Sequence, residues 1–183
     1  MFRLAISVLA ACLFLIPFDA HAALRVGEKA PDFTVQASVG GKEFTFSLAD
    51  SLKNGPVVVY FYPKSFTKGC TIEAHEFADA ADRFAALRAS LIGVSADGID
   101  IQKQFSTMEC RDKFPVAADP DMTVIRAYDA VMTSLPGKTD IADRISYVIA
   151  PDRTVLYTFT ALAPDQHVEN TLEIVQQWRK AHP

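Results

Sequence analysis

Residues 57–70 read Val57-Val58-Val59-Tyr60-Phe61-Tyr62-Pro63-Lys64-Ser65-Phe66-Thr67-Lys68-Gly69-Cys70. The first six residues form a continuous apolar, β-rich run, which is typical of a central strand covered on both faces. Pro63 ends that run, and a helix with an apolar stripe at helical spacing is predicted from about Thr67 to Arg88. The stretch therefore predicts a strand, a short loop and a helix whose first turn contains Cys70.

The predicted position of Cys70 favours a reactive thiol. Unpaired backbone N–H groups and the helix dipole favour negative charge in the first turn, so a thiol placed there has an enlarged thiolate fraction. Thr67 lies one turn earlier, and its hydroxyl can therefore lie beside the sulfur. The local sequence leaves a second interpretation open, in which Thr67 only caps the helix and Cys70 is a small core residue.

Strand and helix patterns alternate on both sides of this stretch. Strands at 33–36 and 43–47 flank Gly40-Gly41, which is a hairpin signal. Further strands are predicted at 91–95, 114–118, 145–150 and 154–159. Helices are predicted from apolar residues at helical spacing: Ile101, Phe105 and Met108; Met122 to Tyr128; and Val168, Leu172, Val175 and Trp178. This order predicts an α/β, thioredoxin-like fold, with a central, mainly parallel sheet, helices on both faces and an N-terminal hairpin.

The first 22 residues resemble a cleavable export signal. Arg3 gives a positive start, residues 4–18 are almost wholly apolar, and Ala20-His21-Ala22 presents small residues at a cleavage site. We expect cleavage after Ala22, export to the periplasm, and a single mature domain at 23–183. Two alternatives stay open: a retained N-terminal anchor, and a lipoprotein site at Cys12.

Composition narrows the possible partners and the role of the cysteines. The chain has 183 residues, half of them hydrophobic, and a net charge of −4. This charge gives no electrostatic reason to bind nucleic acid or an anionic membrane surface. After removal of the signal, two cysteines remain, Cys70 and Cys110. In an oxidising compartment they form a disulfide, act as a redox pair, or are buried bystanders.

Three segments carry a resemblance to a known family. Pro63, Thr67 and Cys70 match the pattern Pro-x-x-x-Thr-x-x-Cys, residues 27–33 resemble the family's opening segment, and residues 143–149 resemble its arginine-bearing strand. The chain therefore resembles the peroxiredoxins of the AhpC/TSA superfamily, and within them the bacterioferritin-comigratory, or Q-type, members. The resemblance covers nearly the whole mature chain.

The resemblance implies a role for four residues. Cys70 is the peroxidatic thiolate, which hydroperoxides oxidise to a sulfenic acid. Thr67 bonds the peroxide and the thiolate, Arg144 holds a positive charge near the sulfur, and Pro63 covers the pocket. Fixed donors at the place where charge moves lower the barrier, and arginine remains charged at all relevant pH values. Without the resemblance, Arg144 reads as a surface residue paired with Asp143.

The resemblance also implies the reaction partners. These are hydrogen peroxide or organic hydroperoxides and a thiol reductant, either a thioredoxin-like protein or a small thiol. No cofactor, metal, nucleic acid or membrane is expected for the mature protein, which is predicted to be a monomer or weak dimer.

One departure from the Q-type pattern concerns the second, resolving cysteine. Many relatives carry it five positions after the first, where this chain has His75, which we interpret as an exposed polar residue. Cys110 is then the candidate, since some relatives place this cysteine in the next helix. At about 100° per residue, Cys110 points away from the stripe of Ile101, and its charged neighbours also favour exposure. The alternative is an idle Cys110 with reduction of Cys70 by an external thiol.

Two other functions stay open on the same fold. A thiol-disulfide oxidoreductase normally uses Cys-x-x-Cys, and the position three after Cys70 is Glu73. A non-enzymatic redox or metal-binding module needs a second close ligand, and the sequence gives no evident candidate.

Overall fold

A computed structural model describes residues 23–133 and 135–183. The predicted export signal at 1–22 lies outside these residues. Within the described part, the strands are β1 (Thr34–Val39), β2 (Lys42–Ser47), β3 (Val57–Phe61), β4 (Ser90–Ser95), β5 (Val116–Ala118), β6 (Ile145–Ile149) and β7 (Val155–Thr160). The helices are α1 (Leu48–Leu52), α2 (Lys68–Ala86), α3 (Ile99–Met108), α4 (Thr123–Ala127) and α5 (His167–Ala181). None of the described helices combines the length and apolarity that crossing a bilayer requires.

The strands form one sheet in the order β2-β1-β5-β4-β3-β6-β7. The three central strands β5, β4 and β3 are parallel to one another. The other neighbouring pairs are antiparallel. The thioredoxin-like fold and its N-terminal hairpin are confirmed, but the sheet is mixed rather than mainly parallel. The reason is that the two hairpins, β1–β2 and β6–β7, both join the parallel centre in antiparallel orientation.

The apolar run of β3 is buried on both faces, as its composition predicts. Val57, Val59 and Phe61 face one apolar cluster, to which α1 and α4 contribute. The residues between them, Val58 and Tyr60, face a second cluster formed mainly with α2 and α5. Because side chains alternate across a strand, β3 packs into both clusters. This burial on both faces holds the end of β3 in place, and with it the start of the loop to α2.

The buried face of α3 differs from the sequence prediction. Phe105 is buried, but Ile101 and Met108 are 40% and 63% exposed. The inward positions are taken instead by Gln102 and Ser106. The Gln102 amide accepts a hydrogen bond from the Tyr62 hydroxyl at 2.7 Å and donates one at 2.7 Å to a serine of β4. A satisfied polar side chain can be buried at little cost, so the helix is rotated relative to its apolar stripe.

Candidate active site

Cys70 is the third residue of α2 and is 1% exposed. The first-turn position predicted from the sequence is confirmed. At this point the unpaired N–H groups and the helix dipole favour negative charge on the sulfur. The side chain packs in the second cluster beside Val58, Tyr60 and Tyr62, so the thiol lies at the edge of a dry core.

The loop between β3 and α2 is held by polar contacts. The Ser65 backbone N–H donates to the Asp97 carboxylate at 2.7 Å, and the Ser65 and Tyr62 hydroxyls lie 3.2 Å apart. Phe66 adopts the left-handed conformation at φ 63°, which is uncommon for a side chain of this size. Pro63 is half-buried at the start of this loop. These contacts fix where the helix begins and therefore where its first turn points.

Thr67 occupies the N-cap position of α2, but its side chain makes no capping hydrogen bond. The hydroxyl instead donates to the Lys64 carbonyl oxygen at 2.9 Å. A hydroxyl has one proton and two acceptor lone pairs, so the Thr67 oxygen can still accept a hydrogen bond from a molecule at the site. The side chain is exposed, which leaves it accessible to a small substrate.

Arg144 precedes β6 and is 3% exposed. One of its terminal nitrogens donates to Cys70 Sγ at 3.4 Å, the other donates to Glu73, and Nε donates to the Leu162 carbonyl oxygen at 2.9 Å. The interpretation as a surface pair with Asp143 is wrong, because Arg144 is buried with its guanidinium on Cys70, Glu73 and Leu162, and its backbone N–H donates to the Asp143 carboxylate. Its contacts with Glu73 and Leu162 thus hold the guanidinium against the sulfur, although Arg144 and Cys70 are 74 positions apart in the sequence.

Sequence reasoning did not assign two residues that shape this contact. Glu73 is fully buried and binds the Arg144 guanidinium. Burial raises the pKa of Glu73 to about 8, although Arg144 opposes this rise. Gly69 leaves room for the same guanidinium, since a Cβ at that position would lie 3.0 Å from a terminal nitrogen. Glu73 lies one helical turn after Cys70, and this i,i+3 spacing is the signal that could have identified it.

Cys110 is fully buried, which corrects the prediction of an exposed thiol. α3 ends at Met108, so extrapolating its phase to residue 110 is not valid. Arg111 and Asp112 adopt left-handed conformations, and the chain turns so that their side chains are exposed while Cys110 points inward. Burial raises the pKa of the Cys110 thiol well above its usual range. Both Cys70 and Cys110 are free thiols.

The segment around Cys110 is fastened to α2 by ion pairs. His75 is half-buried rather than simply exposed, and its Nε2 lies 2.7 Å from a Glu109 carboxylate oxygen. Two further pairs join Arg111 to Asp79 at 2.6 Å and Lys113 to Asp82 at 3.2 Å. Exposed pairs contribute little energy individually. Together they nevertheless align this segment with the part of α2 that follows the first two turns.

Comparison with known proteins places these features in a family. The AhpC/TSA family matches residues 26–158. A protein of Mycobacterium tuberculosis named as a peroxiredoxin is 33% identical over 157 residues, covering 85% of this chain and 99% of the relative. Peroxiredoxin Q, chloroplastic, of Oryza sativa subsp. japonica is 31% identical, covering 82% of this chain and 66% of the relative. The crystal structure of peroxidoxin BcpB from Mycobacterium tuberculosis has a TM-score of 0.75 at 32% identity, covering 84% of this chain and 97% of that chain.

Proposed function

This chain belongs to the AhpC/TSA family and is a thiol-dependent peroxidase of the peroxiredoxin type, an oxidoreductase, and on this premise we propose that Cys70 is its peroxidatic residue. The observation that carries the proposal is the 3.4 Å contact from the Arg144 guanidinium to Cys70 Sγ in a buried helix turn. A thiol held by a permanent cation and a helix N-terminus reacts as the thiolate.

In the first step, the Cys70 thiolate attacks one oxygen of a hydroperoxide. The O–O bond breaks, a sulfur–oxygen bond forms, and the departing alkoxide or hydroxide takes a proton from solvent. The products are a Cys70 sulfenic acid and an alcohol or water. Negative charge moves from the sulfur to the leaving oxygen, and the Arg144 guanidinium is already oriented beside that path, so it stabilises the transition state without reorganisation.

Thr67 and Pro63 complete the substrate site in this proposal. The Thr67 hydroxyl proton is engaged by the Lys64 carbonyl, so the hydroxyl oxygen accepts the hydrogen bond of the peroxide O–H group. Pro63 is half-buried at the head of the loop and has no N–H group to compete for the peroxide. Both hydrogen peroxide and organic hydroperoxides are substrates in this scheme.

We propose that Cys110 resolves the sulfenic acid. Its thiolate displaces the hydroxyl group from the oxidised Cys70 sulfur, so a disulfide forms and water is released. A disulfide requires Cα atoms within about 7 Å, and Cys110 is fully buried in the reduced fold. The first turn of α2 therefore unwinds, while the ion pairs that begin at His75 keep the Cys110 segment in place. A thioredoxin-like protein or a small thiol then reduces the disulfide.

The proposed setting is outside the cytoplasm. The support is the apolar run at 4–18 with small residues before position 23, which resembles an export signal. The mature protein, a monomer or weak dimer in this proposal, would remove peroxide in the periplasm. A thiol-disulfide exchange activity of the thioredoxin type has less support. Such an activity normally uses a second cysteine three positions after the first, and this position holds Glu73, the buried partner of Arg144.

The proposal is tested by Cys70→Ser. A serine hydroxyl is far too weakly acidic to supply the attacking anion, so peroxide reduction with an added dithiol should be abolished while the circular dichroism spectrum is unchanged. Cys110→Ser is the matched control, because it also removes one buried sulfur but should retain the first oxidation step. Substantial turnover by Cys70→Ser would overturn the proposal.

A further inference from the structure

A fully buried histidine lies near the Glu73 carboxylate oxygen that Arg144 does not bind. His167 is the first residue of α5, and its ring packs edge-on against Phe159 at 4.8 Å between centroids. Its Nε2 lies 3.0 Å from the Ala161 carbonyl oxygen. Because a carbonyl oxygen only accepts hydrogen bonds, Nε2 carries a proton. The other ring nitrogen, Nδ1, is then an acceptor whenever the imidazole is neutral.

Nδ1 of His167 faces two oxygen atoms. The Ser146 hydroxyl lies 2.8 Å away and Oε1 of Glu73 lies 3.7 Å away. Oε1 is buried and has no hydrogen-bond partner within residues 23–133 and 135–183. A buried carboxylate oxygen without a donor carries a substantial desolvation cost. The 3.7 Å separation is a close electrostatic contact rather than a hydrogen bond. A proton on Oε1 would remove that cost, while the Ser146 hydroxyl can donate to Nδ1 of the neutral imidazole.

The charges around Arg144 also favour a proton on the Glu73–His167 pair. The guanidinium contacts both the Cys70 sulfur and the Glu73 carboxyl group. If both were anionic, two negative charges would share one cation in a buried site, and like charges at short range favour protonation of one of them. Burial raises the pKa of Glu73 to about 8 and lowers that of His167 to about 4. The proton therefore resides mainly on the Glu73 carboxyl.

We propose that Glu73 and His167 hold one proton between them in the reduced enzyme, so that the Cys70 thiolate is the only anion bound to Arg144. This inference rests on the proposed peroxidase function and makes His167 a positioning residue, which acts on the sulfur through Glu73 and Arg144. Loss of the shared proton would leave Glu73 anionic. Arg144 would then be partly neutralised, and oxidation of Cys70 would slow.

Other titratable and charged groups lie around the pair. Along α2, the nearest further carboxyl is Glu76, whose pKa is raised by its partial burial and by Asp165. From β3, Tyr60 faces Glu73, and burial raises the pKa of its hydroxyl well above the ordinary value. From the residue before β6, the facing charge is the Arg144 guanidinium, which remains protonated. Of the pair, Glu73 is thus the group whose protonation changes near neutral pH, and His167 stays neutral there.

The test is the second-order rate constant for oxidation of Cys70 by hydrogen peroxide, followed by alkylation trapping and mass spectrometry from about pH 6 to 9.5. In the wild type the rate should fall about tenfold at alkaline pH as the pair loses its proton near pH 8, and a tenfold change corresponds to one pKa unit of electrostatic support. Glu73→Gln cannot ionise and should lack the alkaline fall. A wild-type rate without the fall, or a fall that persists in Glu73→Gln, would overturn the inference.

Two variants distinguish the effect of His167 from that of Ser146. His167→Phe retains the ring packing but removes the acceptor of the Glu73 proton and frees Ser146 to donate to the carboxylate, so the alkaline fall should move to lower pH by about one unit. Ser146→Ala, the matched control, leaves Nδ1 facing Glu73, so the fall should stay in place or move to higher pH. Equal downward shifts in both variants would assign the effect to general loosening of the site and contradict the role of His167.

A direct measurement does not depend on whether these variants fold. Infrared spectroscopy of the reduced wild type at about pH 7 reports a protonated carboxyl group, and ¹⁵N NMR of the histidines reports the charge of His167. A protonated Glu73 beside a neutral His167 supports the inference, and an ionised Glu73 refutes it whatever the charge of His167, because the sulfur would then not be the only anion bound to Arg144. Absence of Cys70 oxidation in the wild type at every pH would instead contradict the proposed peroxidase function.

Discussion

Arg144→Met removes the cation beside Cys70 while retaining an unbranched side chain of moderate length. The guanidinium lies 3.4 Å from Sγ, where two opposite charges attract by about 5 kcal/mol at an effective dielectric constant near 20. Part of this attraction stabilises the resting thiolate, and the remainder acts in the transition state. Loss of one such fixed donor typically costs about 3 kcal/mol in the barrier. We therefore expect Cys70 oxidation to slow by at least about a hundredfold.

The assay is stopped-flow or quenched-flow oxidation of Cys70 by hydrogen peroxide under pseudo-first-order conditions. Arg144→Met also leaves the Glu73 carboxyl group buried without the guanidinium that binds it, and an unsatisfied buried polar group costs about 1–3 kcal/mol of stability. In the double variant Arg144→Met/Glu73→Gln, position 73 cannot ionise, so any loss of stability at alkaline pH should disappear while the rate stays low. If folded Arg144→Met reacts within about threefold of the wild-type rate, a negligible energy difference, the assigned role is incorrect.

Three further outcomes are expected. Cys110→Ser should retain fast formation of sulfenic acid at Cys70 but accumulate sulfinic acid under excess peroxide, and a disulfide-free peptide map of the oxidised wild type would contradict resolution by Cys110. Gly69→Ala, which places a methyl group 3.0 Å from a guanidinium nitrogen, should slow oxidation by about tenfold through misalignment, whereas Gly98→Ala, with open space around its Cβ, should not. The pKa of Glu73 is raised in the folded state. Its contribution to stability is therefore fully present below its unfolded pKa near 4.5 and is lost as pH rises toward about 8. Denaturant titrations should show this decline in the wild type and a smaller one in Glu73→Gln.

The local features of the fold follow from short stretches of sequence. The apolar run at 57–62 predicts the central strand because its side chains must be covered on both faces, and Gly40-Gly41 predicts the first hairpin. The order of the strands does not follow from such patterns. Each hairpin carries the same signal wherever it joins the sheet, so the antiparallel pairing of β3 with β6 could not be distinguished from a more parallel arrangement. The five-residue α1 is too short to show a helical period.

In the site, too, the sequence predicts contacts between residues that are close along the chain but not contacts between distant ones. Thr67 and Cys70 lie within one helical turn, so their relation follows from the start of α2. Arg144 is 74 positions from Cys70, and only the family resemblance connected the two. Glu73 and His167 read as ordinary polar residues of amphipathic helices. Their burial depends on each other and on the guanidinium, which no periodicity in the sequence encodes.

Cys110 shows why charged neighbours are a weak guide to exposure. The four residues around it in the sequence are Glu109, Arg111, Asp112 and Lys113, and together they indicate a solvated segment. Three of these residues are exposed and Glu109 is half-buried against His75, but two consecutive left-handed residues turn the chain so that Cys110 fills the core. Left-handed conformations at Arg and Asp carry a local cost, and nothing in the sequence signals them.

The central claim is that Cys70 is the sulfur that reacts with peroxide. The most direct measurement is mass spectrometry of the reduced protein after one equivalent of hydrogen peroxide, with alkylation of the remaining thiols and peptide mapping without reductant. We predict that Cys70 carries the oxidation, either as a trapped sulfenic acid or in a disulfide with Cys110, and that this occurs before any other residue is modified. An alkylated, unoxidised Cys70 beside consumed peroxide would contradict the account.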